Sequence, residues 1–197
     1  MKKICIIAIS LIILLTGCQS QRHTLNPSST TTETSSQQID NADFRNAKWG
    51  DDKTTVIESE TDVDLFDWEA NLAGTGKISN YDTLIVYFFD NDALYEGGYM
   101  LDCQYTNPEQ YISTYDDLKD DLKQQYGEPI EDAIIPTEIA SQSMIESTGD
   151  AQSLENGYVG YRTRWETETT DIMMGMISQD HEIDLLIIYT DKNHESD

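Results

Sequence analysis

Hydrolysis and group transfer at neutral pH usually need a nucleophile with a histidine or carboxylate base in hydrogen-bonding reach. Three histidines occur among the 197 residues. His23 lies in a polar stretch near the N-terminus, His194 in a polar tail, and His181 between two strand-like runs, where it reads as a surface turn residue. No nucleophile elbow, zinc-protease helix or cysteine-ligand spacing is found. Gly74, Thr75, Gly76 and Lys77 carry part of a phosphate-binding loop, but Asn71 stands where its first glycine belongs and Ile78 where its Ser or Thr belongs. Asp90, Asn91, Asp92 and Glu96 suggest a calcium loop, yet Tyr95 occupies the position of the required glycine. Acidic pairs such as Asp62 with Asp64, or Glu166 with Glu168, fit a solvated face. The expectation is no catalytic residue, no metal site and no cofactor. A pair of carboxylates working as a hydrolase stays open as an alternative, because 37 Asp and Glu residues offer many pairs and no spacing signature excludes one.

The three cysteines have separate fates. Lys2 and Lys3 precede an apolar run over residues 4–15, which as a helix of about 18 Å is too short for the ~30 Å hydrocarbon core and reads as the h-region of a secretory signal. Leu15, Thr16, Gly17 and Cys18 then resemble the lipobox of bacterial lipoproteins. That resemblance implies cleavage between Gly17 and Cys18 and diacylation of the Cys18 sulfur, and two acyl chains make a stable anchor where one does not. Cys5 leaves with the signal, so Cys103 stands alone and no disulfide forms within the domain. Its alternation with Tyr99, Leu101 and Tyr105 places it on the apolar side of a strand, as a buried structural thiol.

Residues 19–41 are rich in Ser, Thr, Gln and Asn, too polar to offset their conformational entropy by burial, and read as a disordered tether with a reach of about 25 to 30 Å. Residues 42–191 form one domain of ordinary size, followed by a polar tail over 192–197. Loss of the signal takes the formal charge from −25 to about −27. Such a balance excludes nucleic acid as a partner, since that binding needs Lys and Arg against phosphates, and it disfavours anionic head groups.

Within the domain, Asp51 is placed to cap a short helix over residues 51–60 that turns Val56 and Ile57 inward. Three strand-like runs follow, over 66–79, 83–89 and 94–105, the last two joined by a turn at Asp90, Asn91 and Asp92. Asn107 caps a second helix with Pro108 at its first position; Tyr111, Tyr115, Leu118, Leu122 and Tyr126 recur at helical spacing until Gly127 and Pro129. Residues 128–156 are acidic and weakly patterned, a long connection with about one helical turn. Three further strands span about 157–167, 171–178 and 183–190. The first sets Tyr161, Thr163, Trp165 and Thr167 against Arg162, Arg164, Glu166 and Glu168. The order is helix, three strands, helix, three strands.

The halves echo each other. Trp68, Glu69, Gly76, Ile78 and Leu84 in the first correspond to Trp165, Glu166, Gly175, Ile177 and Leu185 in the second. Tandem duplication of a helix-plus-three-strand unit and chance alignment of short apolar strands both account for this. The entry Phe44, Arg45, Lys48, Trp49, Gly50, the strand ending in Tyr87, Phe88 and Phe89, and the helix ending in Tyr126, Gly127 and Pro129 resemble uncharacterised bacterial lipoproteins related to the β-lactamase-inhibitor-protein and SmpA/OmlA structural group. The resemblance implies a two-layer α+β fold, an antiparallel sheet with helices on one face, and a protein-binding habit; no inhibitor contact residue carries over. With the strand tyrosines, large and amphipathic, as possible contacts, the expected role is a lipid-anchored, non-catalytic module at the extracytoplasmic side of a Gram-positive membrane, holding another protein on its sheet. Besides the hydrolase, a solute- or cation-binding lipoprotein is the other alternative.

Overall fold

A helix starts where a side chain can accept its first free N–H groups. In the computed structural model, which describes residues 42–195, Asp52 does this for α1 (Lys53–Ser59), accepting from the Thr55 amide at 2.8 Å. The cap is thus Asp52 and not Asp51, whose carbonyl instead receives the Leu94 amide. With α1 starting there, Val56 is fully buried and Ile57 points to solvent.

The run over 66–79 is two strands. β1 (Phe66–Trp68) and β2 (Asn71–Ile78) reverse through Glu69 and Ala70, with Glu69 in a left-handed conformation (φ 57°). No Gly, Asn or Pro occupies that turn to signal it. β3 (Tyr81–Asp90) and β4 (Ala93–Leu101) follow. Cys103 therefore lies past the end of β4, half-buried against the core rather than within the strand, and burial pushes its thiol pKa up. α2 (Pro108–Tyr126) has the expected limits: Asn107 accepts from the Glu109 amide at 3.0 Å and Gly127 (φ 84°) ends the helix. Tyr111, Tyr115, Leu118 and Leu122 are buried, while Asp117, Asp120 and Asp121 face water.

The segment 128–156 is more ordered than its pattern suggests. It forms β5 (Glu131–Pro136), α3 (Gln142–Thr148) and α4 (Asp150–Glu155). The elements are short; β5 is half-buried at best, and α3 buries no side chain completely. Only Ser153 and Leu154 of α4 reach the core, so little hydrophobic contrast was available to mark them. β6 (Val159–Glu166), β7 (Thr170–Gln179) and β8 (Glu182–Asp191) complete the chain.

All eight strands form one antiparallel sheet in the order β1-β2-β3-β4-β8-β7-β6-β5. Each half of the chain thus contributes four strands, not three, and the halves meet at the β4–β8 pair. The β3–β4 and β7–β8 hairpins turn alike: Asn91 and Asp92 in one, Asp180 and His181 in the other, all at positive φ, as tight two-residue hairpins require. This strand order sets β2–β3–β4 against β6–β7–β8, whereas the sequence echo from Trp68 and Trp165 sets β1–β2–β3 against them, one strand out of step.

Candidate interaction surface

Register assigns each strand residue to a face, because directly opposed residues share one. One row runs Leu72, Tyr87, Gly97, Tyr189, Ile172, Trp165 and the next Gly74, Ile85, Tyr99, Ile187, Met174, Thr163. Nearly all are buried. Tyr115 of α2 packs onto this side, its hydroxyl 2.7 Å from Thr163 Oγ1. Trp165 Nε1 donates to the Gly127 carbonyl at 2.9 Å, fixing the end of α2 over β6.

The N-terminal residues 43–51 are a strap on the same side. The Phe44 ring lies over Gly97, where a Cβ would come within 2.2 Å of it, and packs against Tyr87, Tyr99 and Tyr189 with centroids 5.2, 5.3 and 5.1 Å away. Arg45 reaches Glu60 at 3.1 Å and Asp62 at 2.9 Å, and the Glu60 carboxylate also accepts from the Asn46 amide. Trp49 Nε1 donates to Thr170 Oγ1 at 2.9 Å. The Tyr87 hydroxyl is buried and has no hydrogen-bond partner among the described residues; burial first, and then the nearby Glu60 charge, push its pKa far above the usual value. Phe44, Arg45 and Trp49 of the strap thus serve structural contacts.

Between strap and α2 is a cleft of about 210 Å³, floored by Tyr99 and Tyr189 and edged by Arg45, Tyr126, Asp43 and Asp121. Both of its carboxylates already serve as acceptors. Asp43 takes the Trp49 amide at 3.0 Å and the Thr169 hydroxyl at 2.7 Å, and Asp121 takes the Ser79 hydroxyl at 2.5 Å.

The other side of the sheet differs. Its rows run Ala73, Val86, Gly98, Ile188, Met173, Arg164 and then Thr75, Leu84, Met100, Leu186, Gly175, Arg162. Leu84, Leu186, Ile188 and Met173 are only half-buried; Met100 and Ile177 are exposed at 43% and 39%, and Phe66 at the β1 end at 49%. A continuous aliphatic band therefore crosses β3, β4, β8 and β7. Carboxylates border it. Glu96 sits opposite Thr190, accepting its hydroxyl at 3.2 Å, and Asp184 lies on β8 at the other end. Burial raises the pKa of both, with Thr190 and His194 partly opposing the rise at Glu96 and Glu182 adding to it at Asp184. The cations on this side are matched internally: Arg162 to Glu131, Arg164 to Glu131 and Asp171, Lys77 to Asp82, and Lys192 to Glu166.

The remaining candidates from sequence are scattered. His181 is in the β7–β8 turn; Asp90, Asn91 and Asp92 make the β3–β4 turn, and Gly74 and Gly76 are strand positions packed under Val63 and Ile85. Glu166 pairs with Lys192, and Asp62 with Arg45. Among the described residues no group of three or more His, Cys, Asp or Glu side chains converges as a metal site, and no helix is long and apolar enough to cross a membrane. Gly17 and Cys18 lie outside the described residues. The strand tyrosines Tyr87, Tyr99, Tyr161 and Tyr189 fall on the α2 side, so the opposite side of the sheet is aliphatic and not lined by tyrosine. The alternation of Leu186 and Ile188 with Leu185, Ile187 and Tyr189 was too uniformly apolar to reveal that face. No protein-family model, curated protein or solved structure matches the chain.

Proposed function

We propose that the chain is a lipid-anchored, non-catalytic module that holds another extracytoplasmic protein on the aliphatic face of its sheet. In this reading the signal is removed before Cys18, whose diacylated sulfur anchors the domain at the cell surface through the polar tether. The helices cover one face as a second layer, and the two halves descend from a duplicated unit related to the β-lactamase-inhibitor-protein group. The mirrored strand order and the matched hairpin turns support that descent.

One observation carries the reading: half-buried Leu84, Leu186, Ile188 and Met173 and exposed Met100 form a contiguous band across four central strands. A contiguous apolar patch rimmed by charge marks an interaction site more often than scattered surface apolar residues do. Both β4 and β8 have neighbours on each side, so a partner must lie across the face rather than extend the sheet at an edge. The test is a photo-cross-linking amino acid at Leu186 in intact cells, with the same probe at Asp120 of α2 as control. A discrete adduct from position 186 alone is the expected result. No adduct, or equal adducts from both positions, overturns the reading. Cys18→Ser tests the anchor separately: precursor accumulates or the domain appears in the medium, and normal processing with unchanged membrane partitioning argues against lipidation.

A further inference from the structure

A partner that covers Leu186 and Ile188 also desolvates the carboxylates at the ends of the same band. On β8 the side chains of Asp184, Leu186, Ile188 and Thr190 share the face, and Thr190 is hydrogen-bonded to Glu96 across the β4–β8 pair. Thr190 is six residue steps along the strand from Asp184, so the two carboxylates stand about 20 Å apart with the aliphatic residues between them. Among the described residues neither Glu96 nor Asp184 has a cation within ion-pair distance, although Arg162, Arg164, Lys77 and Lys192 on this face all do have their carboxylates. His194, stacked on Tyr95 at 4.2 Å, lies close enough to influence Glu96. Asp184 is exposed and Glu96 half-buried, so both carboxylates are open to water on this face. Removing that water without supplying a counter-charge buries an unpaired carboxylate, which outweighs the gain from covering a few aliphatic side chains.

Resting on the proposed sheet-face binding, we infer that the partner is a cationic amphipathic protein segment, with an apolar stripe that meets Leu186 and Ile188 and a Lys or Arg near each end that meets Glu96 and Asp184. The spacing suits a helix of about 14 residues lying along the band. Charge complementarity of this kind selects the partner and its orientation as much as it tightens binding. An acidic or neutral-rimmed partner is disfavoured by the same desolvation, and by the formal charge of −25 on the whole chain.

The test uses the full chain in neutral detergent micelles, titrated calorimetrically with two synthetic amphipathic helices of about 14 residues that share a leucine stripe. One carries lysine at both ends of the stripe, the other glutamate; protein-free micelles give the blank. The lysine peptide is expected to bind and the glutamate peptide not. The double variant Glu96→Gln with Asp184→Asn weakens the lysine peptide by about tenfold and flattens its salt dependence. The control Asp117→Asn with Asp120→Asn, the same charge change on α2, stays within about twofold. Met100→Asp, at an exposed position in the band, abolishes binding with the melting temperature unchanged. If the α2 control weakens binding as much as the Glu96 and Asp184 pair, the attraction is to the acidic chain in general and the inference is overturned. Equal binding of both peptides, sensitive to Met100→Asp but not to the carboxylate variants, overturns the cationic partner and leaves the sheet-face function standing. Binding of neither peptide, or indifference to Met100→Asp, removes both.

Discussion

The two faces of the sheet are built from the same strands, often from adjacent residues, yet they solve opposite problems. On the α2 side, Leu185, Ile187 and Tyr189 meet Phe44, Leu118 and Tyr126, and polar atoms are drawn into partnerships such as Tyr115 with Thr163, Trp165 with Gly127, and Arg45 with Glu60. On the other side, Leu186 and Ile188 are only half-buried, and burial disfavours the charged forms of Glu96 and Asp184. Stability is concentrated on the first face. The second retains apolar area and unmatched charge, the two ingredients of association.

The comparison breaks most readily at Arg45. Arg45→Met leaves Glu60, whose side chain is fully buried, with only Asn46 as a donor, and should destabilise the protein by about 3 to 5 kcal/mol in chemical denaturation. A loss below about 1 kcal/mol would mean that the strap is not part of the cooperative core. Next comes a matched pair. Leu118→Ala, at a fully buried site, should cost about 2 to 5 kcal/mol through the cavity it leaves, whereas Met100→Ala on the aliphatic face should stay within about 0.5 kcal/mol. Equal losses would erase the distinction between the faces.

The smallest effect has the most telling sign. Burial raises the folded-state pKa of Glu96 above its unfolded value. Stability linked to this group is therefore fully present below the unfolded pKa, about 4.3, and is lost as pH rises through the folded value. Glu96→Gln should raise the melting temperature slightly at pH 7 and leave it unchanged near pH 4. A lower melting temperature at pH 7 would show that the Thr190 hydrogen bond outweighs burial, and that the native state gains from this charge.

Legibility from sequence followed the strength of periodic contrast. α2 has a capping asparagine, a proline at its first turn, a polar outer face and a glycine stop, and its limits and buried face were readable without the structure. β6 alternates polar with large residues, so its two sides were also plain. The split between β1 and β2 was not, because Glu69 and Ala70 are poor turn markers held by Trp68 pairing with Asn71. Segment 128–156 shows little periodic contrast for a related reason: β5 is an edge strand stabilised by pairing with β6 and by the Arg162–Glu131 ion pair, not by an apolar pattern of its own.

By itself the chain determined its acidity, the α+β mixture, the α2 core face and the absence of any recognised catalytic spacing, since each depends on residue types at short separations. Which side of β8 meets a helix and which meets solvent was decided only in three dimensions. Leu185, Leu186, Ile187 and Ile188 are near equivalents as a sequence, and only the β4–β8 pairing, with Phe44 seated on Gly97 from the far end of the chain, separates the core from the exposed band.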